Sequence, residues 1–265
     1  MFDRLKNAVN HIPYSRSSEF KRLFRIYSNG TLRYLSSYPE ELSVSDLRRV
    51  LVLSPHPDDD VIAVGGTIAR CIKENIPVKV VYLTSGSLRK SNQDSSPSTR
   101  NMEAMEGLKV LGCDDFQFLN YYDKELILKN NAWKDILGIL AEYRPDAIFT
   151  PSFLDKNVDH YATSLILARA LAKSGLETKC YCYEVWMPTI VNSYVDISNV
   201  IDMKTESISK HSSQLQTNNF AEKIIALNRY RSLYNGNNSS YCEAFWQCSS
   251  KEFIKIKNLS ESYHL

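Results

Sequence analysis

From Arg48 onward the chain repeats one pattern: a short apolar run rich in β-branched residues, then a longer stretch with helical spacing. Strands are expected at Arg49–Ser54, Val78–Thr84, Phe116–Leu119, Ala147–Thr150, Cys180–Met187, Tyr194–Val200 and Ala244–Cys248. Helices are expected over Val61–Glu74, Thr99–Leu111, Trp133–Tyr143, His160–Ser174, Lys204–Leu215 and Phe220–Tyr234. Thr99 reads as an N-cap, with Gly112 just past the end of that helix, and Ser85–Ser98 reads as a polar loop. Strands separated by helices of about 10–15 residues make βαβ units and a mainly parallel sheet, so the fold class is α/β. In such sheets ligands bind at the carboxyl ends of the strands. That rule directs attention to Ser54–Asp60, Thr84–Arg100, Tyr121–Asp123 and Thr150–His160.

Residues 1–47 have a different texture and read as an N-terminal extension to a domain spanning 48–265. Arg16, Lys21, Arg22, Arg25 and Arg33 are interleaved with Phe20, Leu23, Phe24, Ile26 and Tyr27. A basic amphipathic helix over Ser18–Tyr27 would suit an anionic membrane surface; an arm docked on its own domain or on another subunit is the plainer reading. The start, Met1-Phe2-Asp3-Arg4, lacks the apolar run of a signal peptide, and no apolar stretch reaches the ~20 residues of a spanning helix. The expected location is therefore the cytoplasm, with peripheral contact at the inner face of the membrane through the arm. Lys plus Arg number 32 against 30 acidic residues, so no charge excess calls for nucleic acid as a partner. Six cysteines include no CxxC and read as reduced, buried thiols, although Cys180 and Cys182 would share one face of a strand.

Two strand ends carry the chemistry. Pro55-His56-Pro57-Asp58-Asp59-Asp60 sets three consecutive carboxylates after a histidine. One acid is routine in the first turn of a helix, where it complements the dipole. Three repel one another, and a cation relieves that repulsion. Pro57 holds His56 extended, and one turn brings His56 and Asp59 to a common point. The loop Asp155-Lys156-Asn157-Val158-Asp159-His160 opens on the same edge, with His160 starting a helix and Asp159 as its expected N-cap. His56, Asp59 and His160 together supply the three protein ligands of a catalytic zinc, leaving one position for water.

At this point the residues resemble a known family. Pro55–Asp60 resembles the HPDDE signature of the PIG-L/LmbE-like deacetylases. Thr99-Arg100 with Glu103 and Leu111-Gly112, Pro145-Asp146 with Thr150-Pro151, Val158-Asp159-His160, Lys210–Gln214 and Glu243-Ala244-Phe245 match further pieces in order. The resemblance implies a Rossmann-like fold and removal of an N-acetyl group from an N-acetylglucosamine-type substrate, giving free amine and acetate. It implies one Zn2+ per chain on His56, Asp59 and His160, with Asp58 as general base. Arg100 would anchor substrate, and Asp159 would orient Asp58 or a ligand histidine. The partner would be an aminosugar-containing small molecule or glycoconjugate.

Two positions depart from the family. Asp60 stands where Glu is usual, and Asn157 stands where the first histidine of HPDH is expected. An Asn amide can donate to an oxyanion but cannot deliver a proton at neutral pH. Proton delivery then falls to Asp58 or another group, and His211 reads as structural. Tyr121, Tyr122, Tyr183 and Trp186 offer flat faces for a sugar ring or, equally, core packing; Tyr122 follows a strand on the right edge. The alternative function is a non-catalytic metal- or sugar-binding member of the same fold. Nucleotide binding at Gly65-Gly66 lacks a GxGxxG.

Overall fold

The structure is a computed structural model that describes residues 38–87, 97–129, 131–216, 219–235 and 240–261. The segment Ser18–Tyr27 lies outside the described residues.

Eight strands form one sheet: β1 (Glu40–Glu41), β2 (Val50–Ser54), β3 (Val78–Thr84), β4 (Phe116–Tyr121), β5 (Ala147–Pro151), β6 (Lys179–Tyr183), β7 (Ser193–Asp196) and β8 (Cys242–Ser249). Their spatial order is β1-β7-β8-β6-β5-β2-β3-β4. Among the described residues, only the pairs that β8 makes, with β6 and β7, are antiparallel. The described helices are α1 (Asp59–Lys73), α2 (Pro97–Leu111), α3 (Ala132–Tyr143), α4 (Val158–Ser174), α5 (Ile201–Ser209), α6 (Ser212–Leu215), α7 (Ala221–Arg231) and α8 (Ser250–Glu261), with short 3-10 turns between.

Both faces of the sheet are covered, so its central strands are buried along most of their length and read as near-continuous apolar runs. Along β2, Val50 and Val52 enter one core, and Leu51 and Leu53 enter the other. The same alternation sends Tyr181 and Tyr183 to one face of β6, and Cys180 and Cys182 to the opposite one. All six cysteines are free and buried. Cys180, Cys182 and Cys248 pack among aliphatic side chains, and burial pushes their thiols up, against the thiolate a metal would need.

The chain leaves β2 for β3 and β4 on one side, then returns to place β5 and β6 on the other. The strand order thus reverses beside β2, and a crevice opens there at the carboxyl ends. Asp146 fixes the opposite end of this junction: its Oδ1 accepts from the Arg49 amide at 2.7 Å.

Several boundaries differ from expectation. The folded unit reaches upstream of residue 48. Glu40–Glu41 pairs with β7, and Leu42, Val44 and Leu47 are buried in the core. Thr99 lies inside α2, which starts at Pro97. The cap of α4 is Asn157, not Asp159: the Asn157 carbonyl accepts from the Asp159 amide at 2.9 Å. Strand β6 stops at Tyr183 and β7 at Asp196. The helix expected over Lys204–Leu215 is two helices broken at Lys210-His211. The Glu103 carboxylate causes the break, because it takes the Ser213 amide at 2.8 Å and both serine hydroxyls. Helix α8 has no counterpart in the sequence reading.

Candidate metal centre

The corner after β2 is locked by backbone-directed bonds. Ser54 Oγ donates to the His56 carbonyl at 2.7 Å and accepts from the Asp60 amide at 3.0 Å. The Thr84 amide and hydroxyl, at the end of β3, both donate to the Pro55 carbonyl at 2.9 Å. Asp59 then turns back over the corner, its Oδ2 accepting from the His56 amide at 2.9 Å.

The same Asp59 oxygen lies 2.9 Å from His56 Nδ1 and 3.1 Å from His160 Nε2, and the two nitrogens are 3.3 Å apart. A tetrahedral zinc held at about 2.0–2.1 Å by each ligand sets ligand atoms about 3.3 Å from one another. The three atoms therefore have the spacing and chemistry of one metal's ligands, and they form a group that could hold an ion. His56 and Asp59 come from the β2 corner, and His160 comes from the first turn of α4.

Each histidine is also held from its far side. His56 Nε2 meets Asp159 Oδ2 at 3.2 Å, and His160 Nδ1 meets Asp155 Oδ2 at 3.1 Å. A carboxylate on the second ring nitrogen fixes tautomer and ring orientation for ligation. Asp159 is itself anchored by the Lys124 amide at 2.8 Å, and Asp155 by its bond from the Asn157 amide at 2.9 Å. Of its two expected roles, Asp159 thus has the contact that suits orienting a candidate ligand, His56. Asp155 was missed as a site residue, although an acid five positions before His160 stands in the same strand-end loop. Asp123 was left without a role as well; it joins His56 and Asp159 in a second group of convergent donors.

The electrostatics ask for a cation. Burial alone would disfavour charge on His160, yet Asp59 and Asp155 hold its pKa up at about 9. His56 is raised in the same way: burial opposes the charge, and Asp59 and Asp159 outweigh it. Burial would raise Asp59, but His160 and His56 hold it well below the usual carboxylate range. Asp60 faces away, taking the Tyr82 hydroxyl at 2.8 Å, and burial pushes it up to about 7.

Asp58 is next to the trio in sequence, buried, and 3.2 Å from Arg100 Nη2. Arg100 Nη1 donates to the Gly86 carbonyl at 2.7 Å. Gly86 has φ +70, and a Cβ there would overlap the Arg100 guanidinium, so glycine is what lets Arg100 lie flat against this loop. The guanidinium expected to anchor substrate is thus engaged with Asp58. His211 is buried, and burial lowers its pKa, which keeps it neutral. Tyr183 is core, its hydroxyl on the Leu53 carbonyl. Tyr121 bonds Asp135. Tyr122 and Trp186 are the exposed aromatics of the four. The Trp186 amide lies 3.5 Å from Asp155 Oδ2. Its loop is tethered by buried Arg231, whose Nε meets Glu184 Oε2 at 3.0 Å.

Comparison with known proteins bears on this arrangement. The family profile PIG-L, described as GlcNAc-PI de-N-acetylase, matches residues 51–171, the stretch from β2 through α4 that holds all three candidate ligands. Over that stretch the chain is similar to the PIG-L/LmbE-like deacetylases. Among relatives of the family, a Bacillus cereus protein named "Probable N-acetyl-alpha-D-glucosaminyl L-malate deacetylase 2" is 28% identical over 190 residues, 64% of this chain and 84% of that one. The diacetylchitobiose deacetylase of Thermococcus kodakarensis is 25% identical over 190 residues, 64% and 71% of the two chains. The solved N,N'-diacetylchitobiose deacetylase of Pyrococcus horikoshii shares the fold at a TM-score of 0.68 and 23% identity, covering 88% of this chain and 94% of that one. No described helix is long and apolar enough to cross a membrane.

Proposed function

We propose that the protein is a zinc-dependent N-deacetylase acting on an aminosugar-containing substrate of N-acetylglucosamine type and yielding free amine and acetate. The observation that carries this reading is the convergence of His56 Nδ1, Asp59 Oδ2 and His160 Nε2, with Asp58 adjoining, in a chain similar to a deacetylase family. His56, Asp59 and His160 hold one divalent ion per chain. When bound, zinc polarises the amide carbonyl and makes water a usable nucleophile near neutral pH.

The chain's own groups do the rest. Asp58 takes a proton from the attacking water, and Arg100 keeps its carboxylate aimed. The Asn157 amide N–H donates to the carbonyl oxygen as negative charge grows there. Asp58 then returns the proton to the departing nitrogen, so one water is consumed and one amine and one acetate leave. Asp159 and Asp155 keep the two imidazoles in register. Tyr122 offers a sugar ring a flat face at the rim.

Nucleic acid has no part in this reading. The basic arm favours a lipid- or nucleotide-linked sugar and contact with the inner face of a membrane, in a cytoplasmic protein. A panel of N-acetyl sugar nucleotides, glycolipids and small glycosides, read by acetate release and metal analysis, tests the proposal. The expected outcome is acetate from at least one class, near-complete loss in Asp58→Asn with metal retained, and loss of metal in Asp59→Ala. Metal retained with no acetate from any class would favour the non-catalytic binding alternative.

A further inference from the structure

The far side of His56 faces a second set of donors. Its Nε2, a carboxylate oxygen of Asp123 and one of Asp159 lie within 4.8 Å of one another. Three separate elements bring them together. His56 sits in the corner after β2, Asp123 in the turn after β4, and Asp159 in the first turn of α4. The turn that carries Asp123 is held by its backbone: the Asp123 amide donates to the Ser87 carbonyl at 3.0 Å, and the Lys124 amide donates to Asp159 Oδ2 at 2.8 Å. Lys124 has φ +64, a left-handed conformation uncommon for a residue with a Cβ.

Two oxygens of this set have no part in the trio. Asp123 Oδ1 and Asp159 Oδ1 are shielded from solvent and have no hydrogen-bond donor among the described residues. Asp159 is only 1% exposed, so bulk water does not reach it. A buried carboxylate oxygen with neither a donor nor an ion is strongly unfavourable, and two in one cluster call for a common partner. The charges point the same way. Asp59, Asp123, Asp155 and Asp159 surround the two imidazoles, while Arg100 is engaged with Asp58. One divalent ion on the trio balances two of these four carboxylates and leaves two.

We propose that His56 Nε2, Asp123 and Asp159 form a second, weaker divalent-cation site, which fills when free metal is in excess. An imidazole nitrogen with two carboxylates suits zinc and disfavours magnesium or calcium, which take oxygen ligands. His56 Nε2 and Asp159 Oδ2 are already 3.2 Å apart, close to the roughly 3.3 Å between two ligands of one tetrahedral zinc. With only the trio filled, Nε2 keeps its proton and donates it to Asp159. The second ion replaces that proton, which leaves to solvent, and the ring then bridges two ions. Displacing the proton is what makes the second ion the weaker one. The inference rests on the trio reading through the shared His56.

The test dialyses metal-free, full-length protein against rising Zn2+ and counts bound zinc by elemental analysis. Two steps are expected in the parent, one zinc per chain and then a second. Asp123→Asn should keep the first step and weaken the second by about tenfold or more, since losing a ligand costs no less than losing an outer-shell partner. Glu125→Gln, on the same turn but outside the set, should keep both. The proposal is overturned by one zinc per chain at every concentration, by a second step unchanged in Asp123→Asn, or by an equal loss in Glu125→Gln. A single step would give the two oxygens to water or to substrate hydroxyls instead. A parent that takes up no zinc fails at the trio, so the missing step tells which of the two readings has failed. No readout depends on acetate release.

Discussion

Asn157 spends the two ends of one amide differently. Its oxygen caps α4, accepting the Asp159 N–H at 2.9 Å, which leaves its NH2 group for the donor role proposed toward a substrate oxygen. Asn157→Asp keeps the acceptor for the cap and deletes the donor. Thermal stability should then stay near the parent value while kcat falls on the order of 10²–10³-fold. Asn157→Ala should lose the same activity and about 1 kcal/mol of stability as well. Equal kcat in Asn157→Asp and the parent would remove Asn157 from the reaction. At this scale the convergence of the candidate trio was legible because a metal demands particular atom types, and a histidine before three acids supplies them. Asp155 was not legible, because an acid near a helix start has an ordinary electrostatic use and sequence spacing does not show which atom it faces.

Helix α1, which carries Asp59, is broken five residues later, where Val64 takes φ −134, ψ 16. The break frees amides that the next turn cannot satisfy. Glu243 on β8 takes them: Gly66 N at 2.8 Å and Thr67 N at 2.7 Å, with Lys204 Nζ on the same carboxylate at 2.6 Å. Gly66 is required there, since a Cβ would come within 2.6 Å of Ile197. Lys204 and Glu243 are both fully buried, so removing one charge strands the other. Glu243→Gln should cost about 3–5 kcal/mol by denaturant unfolding, and adding Lys204→Met should recover part of it. Additive losses in that cycle would mean that the pair is not coupled. The sequence marked Glu243 and the Lys210–Gln214 stretch as motifs, yet gave them no mechanism. Both act through carboxylates distant in sequence, as Glu103 does when it splits the helix expected over 204–215, and hydrophobic periodicity does not register such contacts.

For the whole molecule, the alternation of runs was enough to read two covered faces and a mainly parallel sheet. The position of β8, reversed between β6 and β7, was not readable, because an apolar run looks the same in either direction. The candidate ligands come from both sides of the β2–β5 junction, so metal should bind the native state and not the unfolded chain. Chelation should then lower Tm. Free metal at 1,000 times Kd adds about 4 kcal/mol, and each kcal/mol shifts Tm by roughly 2–4 °C for a chain near this size. An unchanged Tm after chelation, with metal loss verified, would contradict a ligand set that spans the sheet.

His56 and His160 are 104 residues apart in the chain. At ordinary rates of synthesis, roughly 5–20 s pass between the emergence of the first histidine and the second. During that interval the HPDD corner has one imidazole and its acids but no finished site. An ion held by the proposed trio would therefore be acquired after β5 has docked, as a late passenger on a folded sheet, and could not serve as the seed around which the nascent chain organises.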